Sequence, residues 1–239
     1  MLLPLLLSLC QQSHAPAFSV PRVLLSINGQ HIHSDEVNEM VDYYRTYRSQ
    51  ESTQCLILKA VATIIPQKLM LSVLPAEADV LKEEIEQLHV KLSRGESFEQ
   101  LAKQYSQDSE APTADGRYTF AREGTVYPFD IYSFTVKVND YSAPFVTKYG
   151  YHILQPLRFI HDDTKADLQV EVRHILLMYP TMIALEKAEE DVREYIEKKL
   201  QQAKIVVYEI GLKNIVAHDL RDQLTLSSLL VAPSGPTVD

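Results

Sequence analysis

GESFEQLAKQYSQD (Gly95–Asp108), with YPFDIYSFTV (Tyr127–Val136) and SAPFVTKYGYHILQ (Ser142–Gln155) downstream, decides how this chain is read. Ser97 supplies a side-chain oxygen to the free N–H groups of a helix start, and Phe98, Leu101, Ala102 and Tyr105 follow the helical period. The helix ends in a polar loop, Ser106 to Gly116. Arg117–Ala121 comes next, then a short helical stretch over Phe129–Phe134. Pro144–Thr147 and Tyr151–Leu157, separated by Lys148-Tyr149-Gly150, read as a hairpin. Upstream, Leu69–Leu74 is a short apolar run stopped by Pro75 and reads as a strand, while Leu81, Ile85, Leu88 and Leu92 mark a helix closed near Gly95.

The order and spacing of these segments resemble a parvulin-type (PpiC, rotamase) peptidyl-prolyl isomerase domain over about ninety residues, roughly Leu69 to Leu157. The resemblance implies an α+β fold, a parvulin-like four-stranded antiparallel sheet with surrounding helices. It also implies catalysis without covalent chemistry or a cofactor. Rotation about C–N faces a barrier of about 18–20 kcal/mol from resonance. X–Pro bonds differ little in energy between cis and trans, so a pocket that binds the twisted amide better than either planar form speeds exchange.

Residue by residue, the resemblance puts Asp108 beside the substrate carbonyl, Phe129 in the proline slot, and Thr147 and His152 as hydrogen-bonding groups inside the site. Thr125 or Val126 falls near the apolar slot-floor position, and Tyr149 follows Thr147 and Lys148. Departures accompany the matches. The first strand of the family carries a His, where this chain aligns Lys68 or Leu69, so the histidine pair is broken. The family's GGDLG turn is here Ala114-Asp115-Gly116-Arg117-Tyr118, with fewer of the glycines that permit tight geometry. A hydroxyl at Thr125 makes the slot less apolar.

Outward from this block, Val23–Ile27 reads as a strand before an Asn28-Gly29 turn. Ser34 reads as an N-cap of a helix whose Val37, Met40, Val41 and Tyr44 share one face. Cys55–Ile65 reads as a buried helix stopping near Pro66, completing a small helical module over 16–66, with the isomerase-like domain at 67–160. MLLPLLLSLC at the N-terminus has the length of a signal-peptide core, with Ser13-His14-Ala15 placing cleavage after Ala15 and leaving Cys55 as the one thiol, a core residue. The alternative is a lipid anchor through Cys10. Export signal, helical module and isomerase-like domain together resemble, more loosely, the layout of SurA-like periplasmic chaperones. Beyond a charged linker, Val170–Met178 reads as a strand and Leu185–Leu200 as one amphipathic helix within 161–226, followed by a frayed tail over 227–239. VRHILL (Val172–Leu177) copies the family's opening strand. It reads as the remnant of a second parvulin domain or as a strand lending His174 to the first.

The composition excludes several classes. With 23 Lys+Arg against 32 Asp+Glu the net charge is -9, which argues against nucleic-acid partners. No segment after the leader reaches about 18 consecutive apolar residues. There is no G-x-S-x-G, H-E-x-x-H, phosphate loop or C-x-x-C. His31-Ile32-His33 reads as a solvated turn rather than half of a metal site. The expected partners are unfolded or partly folded polypeptides containing X–Pro bonds, bound by an isomerase or by a catalytically weak chaperone.

Overall fold

The computed structural model describes residues 22–108, 111, 116–161, 168–187, 190–209 and 212. The expected leader, the expected charged linker (His161 to Ala166) beyond His161 and the 227–239 tail lie outside the described residues. Strand β1 (Val23–Ile27) pairs antiparallel with β2 (Gln30–His33). Asn28 and Gly29 between them both adopt positive φ, 48° and 89°, which matches the twist of a two-residue hairpin. His31 and His33 therefore stand on a strand and not in a turn, because Ile32 between them is drawn fully into the core. Helix α1 (Ser34–Arg45) buries Val37, Met40, Val41 and Tyr44. Its cap is His33 rather than Ser34: the His33 N–H donates to Glu36 Oε2 at 2.9 Å, while Ser34 Oγ accepts from the Arg22 N–H.

Helix α2 spans Thr53–Val73 and corrects two readings. It runs through Pro66, and Leu69 and Met70 lie in its last turns instead of opening a strand. Proline removes one ladder hydrogen bond and crowds the preceding turn, at about 3 kcal/mol. Against that, Ile64, Ile65, Leu69 and Met70 on both sides of it are 2% exposed or less, and their burial outweighs one lost bond. By length and apolarity α2 passes for a membrane span, but 61% of that window is buried inside the fold. It is followed by α3 (Pro75–Ser93) and α4 (Phe98–Tyr105), whose start is capped by Ser97 Oγ accepting from the Gln100 N–H.

The larger sheet contains β3 (Arg117–Ala121), β4 (Phe145–Val146), β5 (Gly150–Ile160) and β6 (Gln169–Met178), with α5 (Phe129–Thr135) between β3 and β4. The strand order is β3-β6-β5-β4 and all neighbours are antiparallel. The sheet thus draws a central strand from beyond residue 160, and VRHILL is part of the sheet that the preceding ninety residues begin. Ile153 and Ile175, paired in register, join Ile85, Leu88 and Leu101 of α3 and α4 in one core. Leu154, Val170 and Val172 pack with Phe120, Phe129 and Phe145 in a second cluster.

Past β6, α6 (Pro180–Glu186) and α7 (Glu190–Gln201) replace the single helix expected from Leu185 to Leu200. Leu185, Ile196 and Leu200 are buried in the main core beside Leu24 and Leu25. Strand β7 (Ile205–Val207) pairs antiparallel with β1, giving a small sheet of order β2-β1-β7. The first and last described strands meet in that sheet, with the larger sheet formed in between.

Candidate functional site

The register of β5 on β6 builds the site. His152 pairs with Leu176 and His174 with Leu154, so the two histidines are diagonal neighbours on one face of the sheet. Their rings lie 5.5 Å apart. The histidine missing near Leu69 is therefore supplied by β6, and the pair is complete in space though broken in sequence. Phe129, first residue of α5, stands edge-on to both rings, at 5.4 Å from His152 and 5.1 Å from His174.

Asp108 reaches this face because the end of α4 is fastened to β6 beyond the stretch that β3 covers. Ser106 Oγ accepts from the Leu176 N–H, the Gln107 N–H donates to Leu176 O, and Gln107 Oε1 accepts from the Met178 N–H. Asp108 Oδ2 then lies 3.0 Å from His174 Nε2, an ion pair whenever the imidazole is protonated. The contact is close but not aligned as a hydrogen bond, since Nε2 has no partner of good geometry. The Tyr118 hydroxyl donates to the same Oδ2 at 3.0 Å, and its ring stacks on His174 at 5.5 Å between centroids. Asp108 and His174 side chains are 12% and 3% exposed.

Thr147 Oγ1 accepts from the Tyr149 N–H at 3.1 Å and lies 2.9 Å from His152 Nε2. The tautomer of His152 decides which of the two donates in that contact. Burial holds the His152 pKa well below the ordinary histidine range, the neighbouring His174 adds to the effect, and Asp108 opposes it. His152 is neutral at physiological pH and has Phe145 stacked on its other side. Among the described residues no group of three His, Cys, Asp or Glu side chains is arranged to hold a metal.

Asp108, Phe129, Thr147 and His152 are thus brought together. Val126 packs on the aromatic cluster that contains Phe129. Tyr149 contributes its backbone N–H while its ring packs partly buried against the main core. Thr125 lines a cavity of about 190 Å³ between α1, α2 and the β3–α5 loop, with Met40, Tyr44, Thr63, Tyr127 and Asp130 on its walls. Two residues join the site that the motif did not assign to it. His174 is visible in VRHILL, but only the pairing of β6 places it. Tyr118 has no signal beyond standing where the family's turn has a glycine.

Residues 69–156 match the family described as Rotamase, PPIC-type PPIASE domain. The chain carries a parvulin-type domain. It is 35% identical to foldase protein PrsA of Bacillus subtilis (strain 168) over 139 residues, 56% of this chain and 44% of that protein. Identity to PrsA of Geobacillus sp. (strain WCH70) is 26% over 183 residues, 74% of this chain and 55% of the relative. Chaperone SurA of Bordetella pertussis is 30% identical over 129 residues, 52% of this chain and 25% of SurA. The chain spans about half or less of the length of these relatives. Its parvulin-type domain has the implied α+β architecture, but the matched stretch opens on the end of α2, and the strand that completes the sheet follows it.

Proposed function

We propose that the parvulin-type domain is a peptidyl-prolyl cis–trans isomerase acting on X–Pro bonds of unfolded or partly folded proteins, within an exported folding factor. The observation that carries this reading is the convergence of Asp108, Phe129, Thr147, His152 and His174 on one face of the sheet, with Phe129 standing over both histidines. The proline ring packs against Phe129 and Val126. A carboxylate at Asp108 beside the substrate carbonyl disfavours the negative charge that amide resonance places on that oxygen. The resonance that keeps the bond planar is thereby weakened, and the twisted amide is favoured over the planar one. His152 and Thr147 hold a fixed, neutral hydrogen-bonding floor. The apolar N-terminal run supports export, with a free periplasmic form or an anchor at Cys10 as its two versions.

Exchange spectroscopy on X–Pro peptides with the full chain tests the reading. Acceleration is expected, falling at least tenfold in Asp108→Ala and in His174→Ala with folding intact. No acceleration across several residues before proline would sink it. A second reading, a weakly catalytic chaperone, is favoured by the turn Ala114-Asp115-Gly116-Arg117-Tyr118, which has fewer glycines than the family's. It predicts that Asp108→Ala suppresses aggregation of an unfolded client as well as the parent does.

A further inference from the structure

Tyr118 has no counterpart in the motif that identifies the domain, since the family's turn carries a glycine at its position. Here it brings β3 to Asp108 and His174, while Phe120 of the same strand packs on Phe129. Its register partner on β6 is Val172, next but one to His174, and this puts the phenol on the same sheet face as the histidine. Two contacts follow: the ring stacks on His174 at 26° between planes, and the hydroxyl donates to Asp108 Oδ2. His174 Nε2 approaches that same oxygen. One carboxylate oxygen is thus gripped from two strands.

We propose that Tyr118 is a positioning residue for the isomerase site, fixing the orientation of the Asp108 carboxylate and holding it anionic through its hydroxyl, while its ring sets the plane of His174. This rests on the isomerase reading for its consequence on rate, though not for its effect on Asp108. An ionised acceptor makes such a hydrogen bond stronger than a neutral one, and hydrogen bonding to the charged form lowers a carboxyl's pKa. His174 on β6, His152 on β5 and Tyr118 on β3 are titratable groups that the described strands turn toward Asp108. His152 is neutral in the working range, and Tyr118 is the one of these three that donates a hydrogen bond to the carboxylate. Gly116 supports the arrangement: its carbonyl accepts from the His174 N–H at 3.0 Å and keeps the start of β3 against β6.

The test follows the Asp108 carboxyl carbon by NMR through a pH titration in the parent and in Tyr118→Phe and Tyr118→Leu, with X–Pro exchange rates across the same range. In Tyr118→Phe, which keeps the ring, the Asp108 midpoint is expected to rise by about one pH unit, the acid limb of the exchange rate to rise with it, and the His152 signals to stay in place. Tyr118→Leu is expected to show the same rise and, in addition, to displace the His174 ring signals. An Asp108 midpoint unchanged in Tyr118→Phe, or a shift confined to Tyr118→Leu, overturns the proposal. Should the parent fail to accelerate exchange, the isomerase reading falls while the carboxyl titration still decides the role of Tyr118.

Discussion

Asp130 shows how one residue carries a pH dependence. Tyr43 donates to its Oδ2 at 2.5 Å and the Glu123 N–H to its Oδ1 at 3.0 Å, yet burial pushes the carboxyl up to about 6. A carboxyl near 4 in the unfolded chain and near 6 in the fold binds its proton more tightly when folded. That stabilisation is complete below about pH 4 and is lost as pH rises through about 6, an effect on the order of 2–3 kcal/mol. Asp130→Asn cannot ionise. Urea unfolding of parent and variant is therefore expected to shift in the variant's favour by about 2 kcal/mol between pH 4 and pH 7, and a constant difference would contradict the assignment. Gly116 makes a steric prediction. At φ +70° an added Cβ would stand 2.4 Å from the His174 carbonyl oxygen, so Gly116→Ala forces β3 and β6 apart. A loss of at least 2 kcal/mol in unfolding free energy is expected, together with slower X–Pro exchange.

At the scale of elements, β6 gives the isomerase-like sheet its centre. It pairs with β3 on one side and β5 on the other, and buries Val170, Val172 and Ile175 completely. A chain ended at residue 167 leaves β3 and β5 with facing unpaired edges and the two clusters open. Such a chain is expected to lose cooperative unfolding and near-ultraviolet circular dichroism, whereas full-length His174→Ala keeps both and loses exchange activity. A truncated chain that unfolds cooperatively would mean that another segment takes the central place. Helix α2 shows the converse, an element whose sequence contains its own stop signal at Pro66 and ignores it. Apolar surface on both sides of the proline had somewhere to go, and the helix continued.

Across the whole molecule, the N-terminal module is joined to the β3–α5 region by a polar cluster. Arg48 donates from Nη2 to Glu123 Oε2 at 2.7 Å and from Nε to Oε1, and the Tyr47 hydroxyl also donates to Oε1. Arg122 lies over the rings of Tyr43, Tyr47 and Phe134. Burial pushes the Glu123 carboxyl up, but hydrogen bonds and charge from Arg48 prevail and hold it below its ordinary value. With both partners about a third exposed, the pair contributes on the order of 1 kcal/mol. A double-mutant cycle on Arg48→Ala and Glu123→Ala, read by urea unfolding, is expected to return a coupling of about that size that shrinks in high salt. A coupling of zero would leave the join to the buried Tyr43–Asp130 contact.

The sequence alone determined the local elements and the kind of site. Ser97 with Phe98, Leu101 and Ala102 specified α4, Lys148-Tyr149-Gly150 marked the β4–β5 hairpin, and the motif pointed to Asp108, Phe129, Thr147 and His152, which do meet. These signals are legible because caps, turns and periodicity act between residues a few positions apart. Which strand sits at the centre of the sheet was decided only by the tertiary structure. Lys68, Leu69 and His174 competed for one place; VRHILL is the better copy of the opening strand, but its local pattern does not say which sheet it joins: Leu69 completes a helix, while β6 gains two full ladders of hydrogen bonds. The Tyr118 contact has the same origin. A side chain that replaces a turn glycine carries no sign of its partner until two strands distant in sequence are laid side by side.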